Sequence, residues 1–150
     1  MELDSAGLEI LSRAECLSLL DAAPIGRIAF TARALPAIQP VNYVRDDNTV
    51  IIRTGIGSKL ATATRNTVVA FEADSLDLES RTGWSVVIVG HSSVVTDPTQ
   101  ISRLRQLALQ PWTPVDRDHF IRITIEEVSG RRHRRMPEGM GAGRGVEPRM

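Results

Sequence analysis

Four residues within one short stretch have side chains suited to gripping an anion. They are Arg53, Thr54, Ser58 and Lys59, in Arg53-Thr-Gly-Ile-Gly-Ser-Lys59-Leu60. Lys59 is the one lysine among 18 basic residues. Where arginine dominates so strongly, a retained lysine suits a task that needs a compact ammonium, such as a point contact to phosphate beside glycine backbone and a hydroxyl. The stretch joins an apolar run over 49–54 to a short helical pattern over 57–65, so a strand end, a glycine turn and a helix start meet there. Helix starts expose N–H groups that favour anions, hydroxyls add donors, and Arg and Lys add charge. The same residues also permit a plain polar turn in which Ser58 caps a helix. The Gly-x-x-x-x-Gly-Lys-Ser/Thr spacing of a P-loop is absent, and the third glycine of a dinucleotide fingerprint is missing.

No other group offers comparable chemistry. His91, His119 and His133 show no metal-ligand spacing and no carboxylate pattern of a triad. No Gly-x-Ser-x-Gly nucleophile motif occurs. Asp46 and Asp47 belong to a turn, and Glu126 and Glu127 to a strand end. Cys16 is alone, so no disulfide forms within the chain. Catalytic side chains are thus not identified, and no metal site is expected.

The elements that must hold these residues are mostly strands. Ser12 and Glu15 form a capping box opening a helix over 12–22, ended by Ala23-Pro24. Strands follow over 25–30 and 37–44, the second interrupted by Pro40, which removes a ladder donor and implies an edge or bulge. A turn at Asp46-Asp47-Asn48 leads into the run over 49–54. Further strands read over 67–73 and 83–96, the latter bent near Gly90. Pro98 starts a helix carrying Ile101, Leu104 and Leu107. A last strand covers 119–128. Hairpins outnumber strand–helix alternations, so the expected class is mainly β with flanking helices, a small antiparallel barrel.

With 150 residues and 42% hydrophobic content, one domain with a proper core is expected. Residues 1–11 read as a flexible N-terminus, 12–130 as the domain, and 131–150 as an Arg- and Gly-rich tail of disordered composition. The net charge is zero, but six arginines against Glu138 and Glu147 leave +4 from Arg131 onward and hence −4 before it. A slightly acidic body argues against nucleic-acid binding. Neither a secretory signal nor an apolar run of membrane-spanning length is read, so the expected location is cytoplasmic, away from membranes.

The blocks Gly26-Arg-Ile-Ala-Phe30, Pro40-Val-Asn-Tyr43, Arg53-Thr-Gly-Ile-Gly-Ser-Lys-Leu60, Val69-Ala-Phe-Glu-Ala-Asp74 and Gly83-Trp-Ser-Val-Val-Ile-Val-Gly90 resemble, in order and spacing, the pyridoxamine 5′-phosphate oxidase-like flavin-binding split barrels. The resemblance implies an antiparallel Greek-key split β-barrel that dimerises with itself, holding FMN, or a deazaflavin in its place, in clefts between subunits. It implies that Gln39, Pro40, Val41, Asn42 and Tyr43 run beside the isoalloxazine ring and meet it through backbone groups. Arg53 and Thr54 would line the ribityl chain or phosphate, Ser58 and Lys59 would bind the phosphate, and Ser85 would approach the flavin from a subunit wall. Trp84 reads more readily as a core or interface aromatic, and Trp112 as a cover for the flavin or a plug of the interface.

The chain departs from the true oxidases at Leu60, where they carry a second cation, at Tyr43, where they carry a basic residue, and in the C-terminal substrate-phosphate groups, which have no match. The implied function is therefore a flavin-dependent oxidoreductase moving a hydride to or from an unidentified small molecule. The alternatives are a deazaflavin-dependent reductase and a non-catalytic dimeric module binding flavin or haem.

Overall fold

The computed structural model describes residues 1–55, 57–107, 109 and 118–134. The chain forms β1 (Glu9–Ile10), α1 (Arg13–Ala22), β2 (Ile25–Ala32), β3 (Leu35–Asp46), β4 (Thr49–Gly55), α2 (Lys59–Ala63), β5 (Thr67–Asp77), β6 (Thr82–Val94), α3 (Pro98–Arg105), β7 (Asp118–Thr124) and β8 (Glu127–His133). All pairings are antiparallel, in the order β1-β8-β6-β5-β2-β3-β4-β7, and a β6–β7 pairing closes six of the strands into a barrel. This is the split β-barrel that the blocks implied.

Closure depends on β6 serving two partners. Its first part pairs with β8 as far as Val89↔Glu127, and its end pairs with β7 from Ser92↔Ile123. Gly90 sits at the change of partner, where an added Cβ would strike the Thr124 carbonyl oxygen. Only a residue without a side chain lets the two backbones come that close. Alternate residues of the strands face inward, and Ile28, Ile52, Phe71, Ile88, Ile121 and Ile123 fill the barrel without solvent contact. A second cluster of Ile51, Val95, Leu104, Leu109 and Phe120 lies under α3.

The capping box forms as read: the Ser12 hydroxyl accepts the Glu15 N–H at 3.2 Å, and Glu15 reaches back to the Ser12 N–H at 3.4 Å. Cys16 is fully buried on α1, in a packing role, and burial pushes its thiol pKa up.

The ends of the chain differ from expectation. The single strand read over 119–128 is two strands, because Ile125 leaves the ladder: its N–H donates to the Asn48 carbonyl and its own carbonyl accepts from the Asn48 amide. β8 then crosses to β6 and carries the order on to His133. Within residues 1–11, expected to be flexible, β1 pairs with β8 through Glu9↔Arg132 and Ile10↔Arg131. Acids near the N-terminus meet the first arginines read as tail. Asp4 contacts Arg131 at 3.0 Å, while Glu9 contacts Arg134 at 2.7 Å and Arg132 at 3.5 Å. The tail beyond Arg134 and Trp112 lie outside the described residues. Among the described residues no helix is long and apolar enough to cross a membrane.

Candidate functional site

The β3–β4 ladder stops at Tyr43↔Ile52, yet both strands continue. β3 runs back to Leu35 on β2, and β4 runs on along β7 to Gly55↔Asp118. A fissure therefore opens between residues 35–42 of β3 and Arg53–Gly55 of β4.

The β2–β3 hairpin decides which backbone groups face that fissure. Arg33 and Ala34 have φ of 52° and 62°, the left-handed pair of a type I′ turn, so Ala32 and Leu35 close the hairpin as a hydrogen-bonded pair. Hydrogen bonding to β2 then alternates along the ladder. Ala37, Gln39 and Val41 turn their N–H and C=O toward β2, whereas Pro36, Ile38, Pro40 and Asn42 turn theirs toward the fissure. The two prolines fall where their missing N–H costs no bond to β2.

This alternation divides the five residues assigned to the flavin ring. Pro40 and Asn42 present backbone to the fissure. Gln39 and Val41 do not, and Val41 is buried on the inner face. Tyr43 is also buried: its hydroxyl donates to the Leu20 carbonyl at 2.6 Å and its ring meets Phe71 edge-on at 4.7 Å. Burial raises the Tyr43 hydroxyl pKa well above its usual value.

Across the fissure, adjacent strand residues point to opposite faces. Thr54 lies on the inner face, and its Oγ1 is 3.2 Å from the Ser58 Oγ. Ser58 accepts the Ala61 N–H at 3.0 Å and so caps α2. Gly57 has φ of 83°, the left-handed conformation that the turn requires of glycine. Lys59, next to Ser58 in the chain, is exposed. α2 has only five residues, so side chains rather than a long helix dipole supply the donors. Arg53 points the other way: its Nη1 donates to the Leu109 carbonyl at 3.0 Å, and its guanidinium stands 5.7 Å from the Phe120 ring centre. The structure thus brings Thr54 and Ser58 together, with Lys59 next to Ser58 in the chain, and ties Arg53 to the segment after α3.

Ser85 lies elsewhere. It is on β6, paired with Asp74, and β5 and β2 separate it from β3. At about 4.8 Å per strand it stands roughly 14 Å from the fissure edge. The outer face between them carries a row of Ile38, Ala29, Ala70 and Val89 and a second row of Pro40, Arg27, Glu72 and Val87. Ile38 is 70% exposed.

Two groups on these elements escaped the sequence reading. Glu72 and Asp74 share the outer face, and the Arg27 Nη1 lies 3.9 Å from the first and 3.6 Å from the second. Partial burial, then the Asp74 carboxyl hydrogen-bonded beside it, push the Glu72 pKa up to about 7. Their i, i+2 spacing in a strand is the signal that could have found them. The other group is His119, cross-strand partner of Thr54 and buried. Among the described residues no cluster of His, Cys, Asp or Glu could hold a metal. A cavity of about 610 Å³, lined in part by Asp21, Asn42, Arg45 and Leu109, lies at the closed end of the fissure.

A six-stranded barrel left open along one edge, with hydroxyls and a lysine across the gap, defines the split-barrel class. The family description "Pyridoxamine 5′-phosphate oxidase" matches residues 12–132, and the chain belongs to that family. The chain is 44% identical over 125 residues to the uncharacterized protein Rv0080 of Mycobacterium tuberculosis, covering 80% of this chain and 82% of that one. A FAD binding protein from Mycobacterium smegmatis superposes with a TM-score of 0.74 at 38% identity, covering 84% of this chain and 98% of that one. A FAD-binding protein from Mesorhizobium loti superposes with a TM-score of 0.71 at 26% identity, covering 85% and 99%.

Proposed function

We propose that this chain is a flavin-binding oxidoreductase that works as a homodimer in the cytoplasm and acts on a small molecule. The observation that carries the proposal is the fissure itself, where β3, beyond the end of its ladder with β4, lies across from Thr54, Ser58 and Lys59. An edge with carbonyls at Pro36, Ile38 and Pro40 and an N–H group at Ile38 suits a flat heterocycle that both donates and accepts. Two hydroxyls and an ammonium suit a phosphate. The residues therefore fit a flavin nucleotide.

FMN is the proposed cofactor, and the FAD-binding relatives make FAD its nearest rival, with deazaflavin third. When bound, the flavin supplies the hydride chemistry. The protein's part is to hold the ring against Pro40 and Asn42 and the phosphate at Ser58 and Lys59. The outer face supports a homodimer: its apolar row, with Ile38 exposed and Ala29, Ala70 and Val89 half-buried, favours burial against a second copy, and Ser85 can reach a flavin only from a partner subunit.

The test is the absorption spectrum of the purified protein, with identification of any released cofactor. Bound flavin reduced by a nicotinamide nucleotide or another donor is the expected result. A protein that is colourless and binds neither FMN, FAD nor deazaflavin on titration overturns the proposal. Tight flavin binding without reduction or reoxidation points instead to a non-catalytic module.

A further inference from the structure

The His119 imidazole is only 8% exposed, and its Nε2 is buried with no hydrogen-bond partner. A buried polar atom left alone is costly, so a native fold that keeps one usually has a use for it. His119 is the cross-strand partner of Thr54. Opposite residues of an antiparallel pair share a face, with Cβ atoms about 5 Å apart. His119 therefore shares the inner face with Thr54, one strand farther from the fissure, although its Nε2 makes no hydrogen bond to the Thr54 hydroxyl in this structure.

The donor count at that spot gives His119 a task. A hydroxyl offers one proton and accepts at its lone pairs. Ser58 already accepts the Ala61 N–H, and the Thr54 and Ser58 oxygens are 3.2 Å apart, one donating to the other. In that arrangement only one of the two hydroxyl protons remains for a ligand. When a bound phosphate draws both protons outward, the Thr54 oxygen no longer accepts from Ser58, and a donor from behind can fill the acceptor position left open. An imidazole with its proton on Nε2 is such a donor. Burial, and secondarily the charge of Arg65, lower the His119 pKa and keep the ring neutral near pH 7.

We infer that His119 is a positioning residue for the cofactor phosphate: its Nε2–H donates to the Thr54 hydroxyl, which then turns its proton, together with that of Ser58, onto the phosphate. The inference rests on the flavin reading above and adds a residue to that site. No bond is made or broken. The interaction depends on the phosphate and not on the flavin ring, which makes riboflavin the natural control.

The experiment titrates the full chain with FMN and with riboflavin, following flavin fluorescence. In His119→Phe the FMN dissociation constant should rise about fivefold while that for riboflavin stays put. His119→Gln, which restores an N–H donor near the Nε2 position, should recover most of the loss. An FMN-to-riboflavin affinity ratio unchanged in His119→Phe overturns the inference and leaves the flavin reading standing. Wild-type protein that binds neither compound overturns the inference, and overturns the flavin reading as well if it also binds neither FAD nor deazaflavin. Should the Phe variant not fold, nitrogen NMR of the wild-type imidazole decides. The inference requires a neutral ring protonated on Nε2 in the FMN complex, with a resonance that moves on adding FMN but not riboflavin; the Nδ1–H tautomer, or no difference between the two ligands, refutes it.

Discussion

The Tyr43 hydroxyl donates to the Leu20 carbonyl at 2.6 Å, tying the last turn of α1 to the strand that borders the fissure. The last carbonyls of a helix lack intrahelical donors, and here one of them is satisfied by a side chain from the sheet. Tyr43→Phe leaves that carbonyl buried and unpaired. A loss of about 1–3 kcal/mol in denaturant unfolding is expected, with α1 less protected in hydrogen exchange. Equal stability of the two proteins would show that water replaces the hydroxyl.

Lys59→Ala should weaken FMN binding without changing the melting temperature, since Lys59 is exposed. A charge-assisted phosphate contact is worth roughly 1.5–3 kcal/mol, so the affinity should fall at least about tenfold. Riboflavin affinity should hardly change. An unaltered FMN constant would make Lys59 an ordinary surface residue.

Much of this layout was legible in the sequence, because much of it is local. Ser12 with Glu15, Pro98 at a helix start and the Asp46–Asn48 turn each specify structure within a few residues. The fates of Arg53 and Thr54 were less accessible. Their alternation in a strand already separates their faces, but only Leu109 and Phe120, both more than fifty positions away, fix where Arg53 goes. The break between β7 and β8 has no glycine or proline to announce it, since Ile125 is drawn off by Asn48 from a distant turn. Pairing of the N-terminal acids with Arg131, Arg132 and Arg134 was hidden for a similar reason: composition described each end separately, whereas the fold brings them together.

Glu72 gives the protein a pH signature. Its folded pKa, about 7, lies above the ordinary carboxyl value of 4.5, so the folded state holds the proton more tightly than the unfolded chain. Stability from this group is complete below about pH 4.5, falls as pH rises toward 7, and is flat beyond. Glu72→Gln, which imitates the protonated form, should flatten the melting-temperature profile across that window. A variant profile parallel to the wild type would assign the slope to other groups.

The proposed dimer can be tested at Ile38. Ile38→Asp places a charge in the apolar row, far from the barrel interior. Light scattering should then report a monomer with an unchanged melting transition of the fold. Wild-type protein that is already monomeric at all concentrations would remove the second wall of the proposed cleft.

Gly90→Ala should abolish soluble folded protein, because the Thr124 carbonyl occupies the space the methyl needs. Substitution of Gly57, with nothing within 4 Å, should cost only the left-handed backbone penalty of about 1 kcal/mol. Comparable yields of the two variants would show that β6 can shift to admit a side chain.

An exposed strand edge ordinarily invites another chain to add a strand and start aggregation. At the fissure edge of β3, Pro36 and Pro40 occupy two of the four positions that would donate to such an intruder. An incoming strand meets alternating gaps in its ladder, while a small planar ligand needs only one or two of the groups that remain. The edge is therefore a poor template for an added strand, a kind of selectivity set by which N–H groups it lacks.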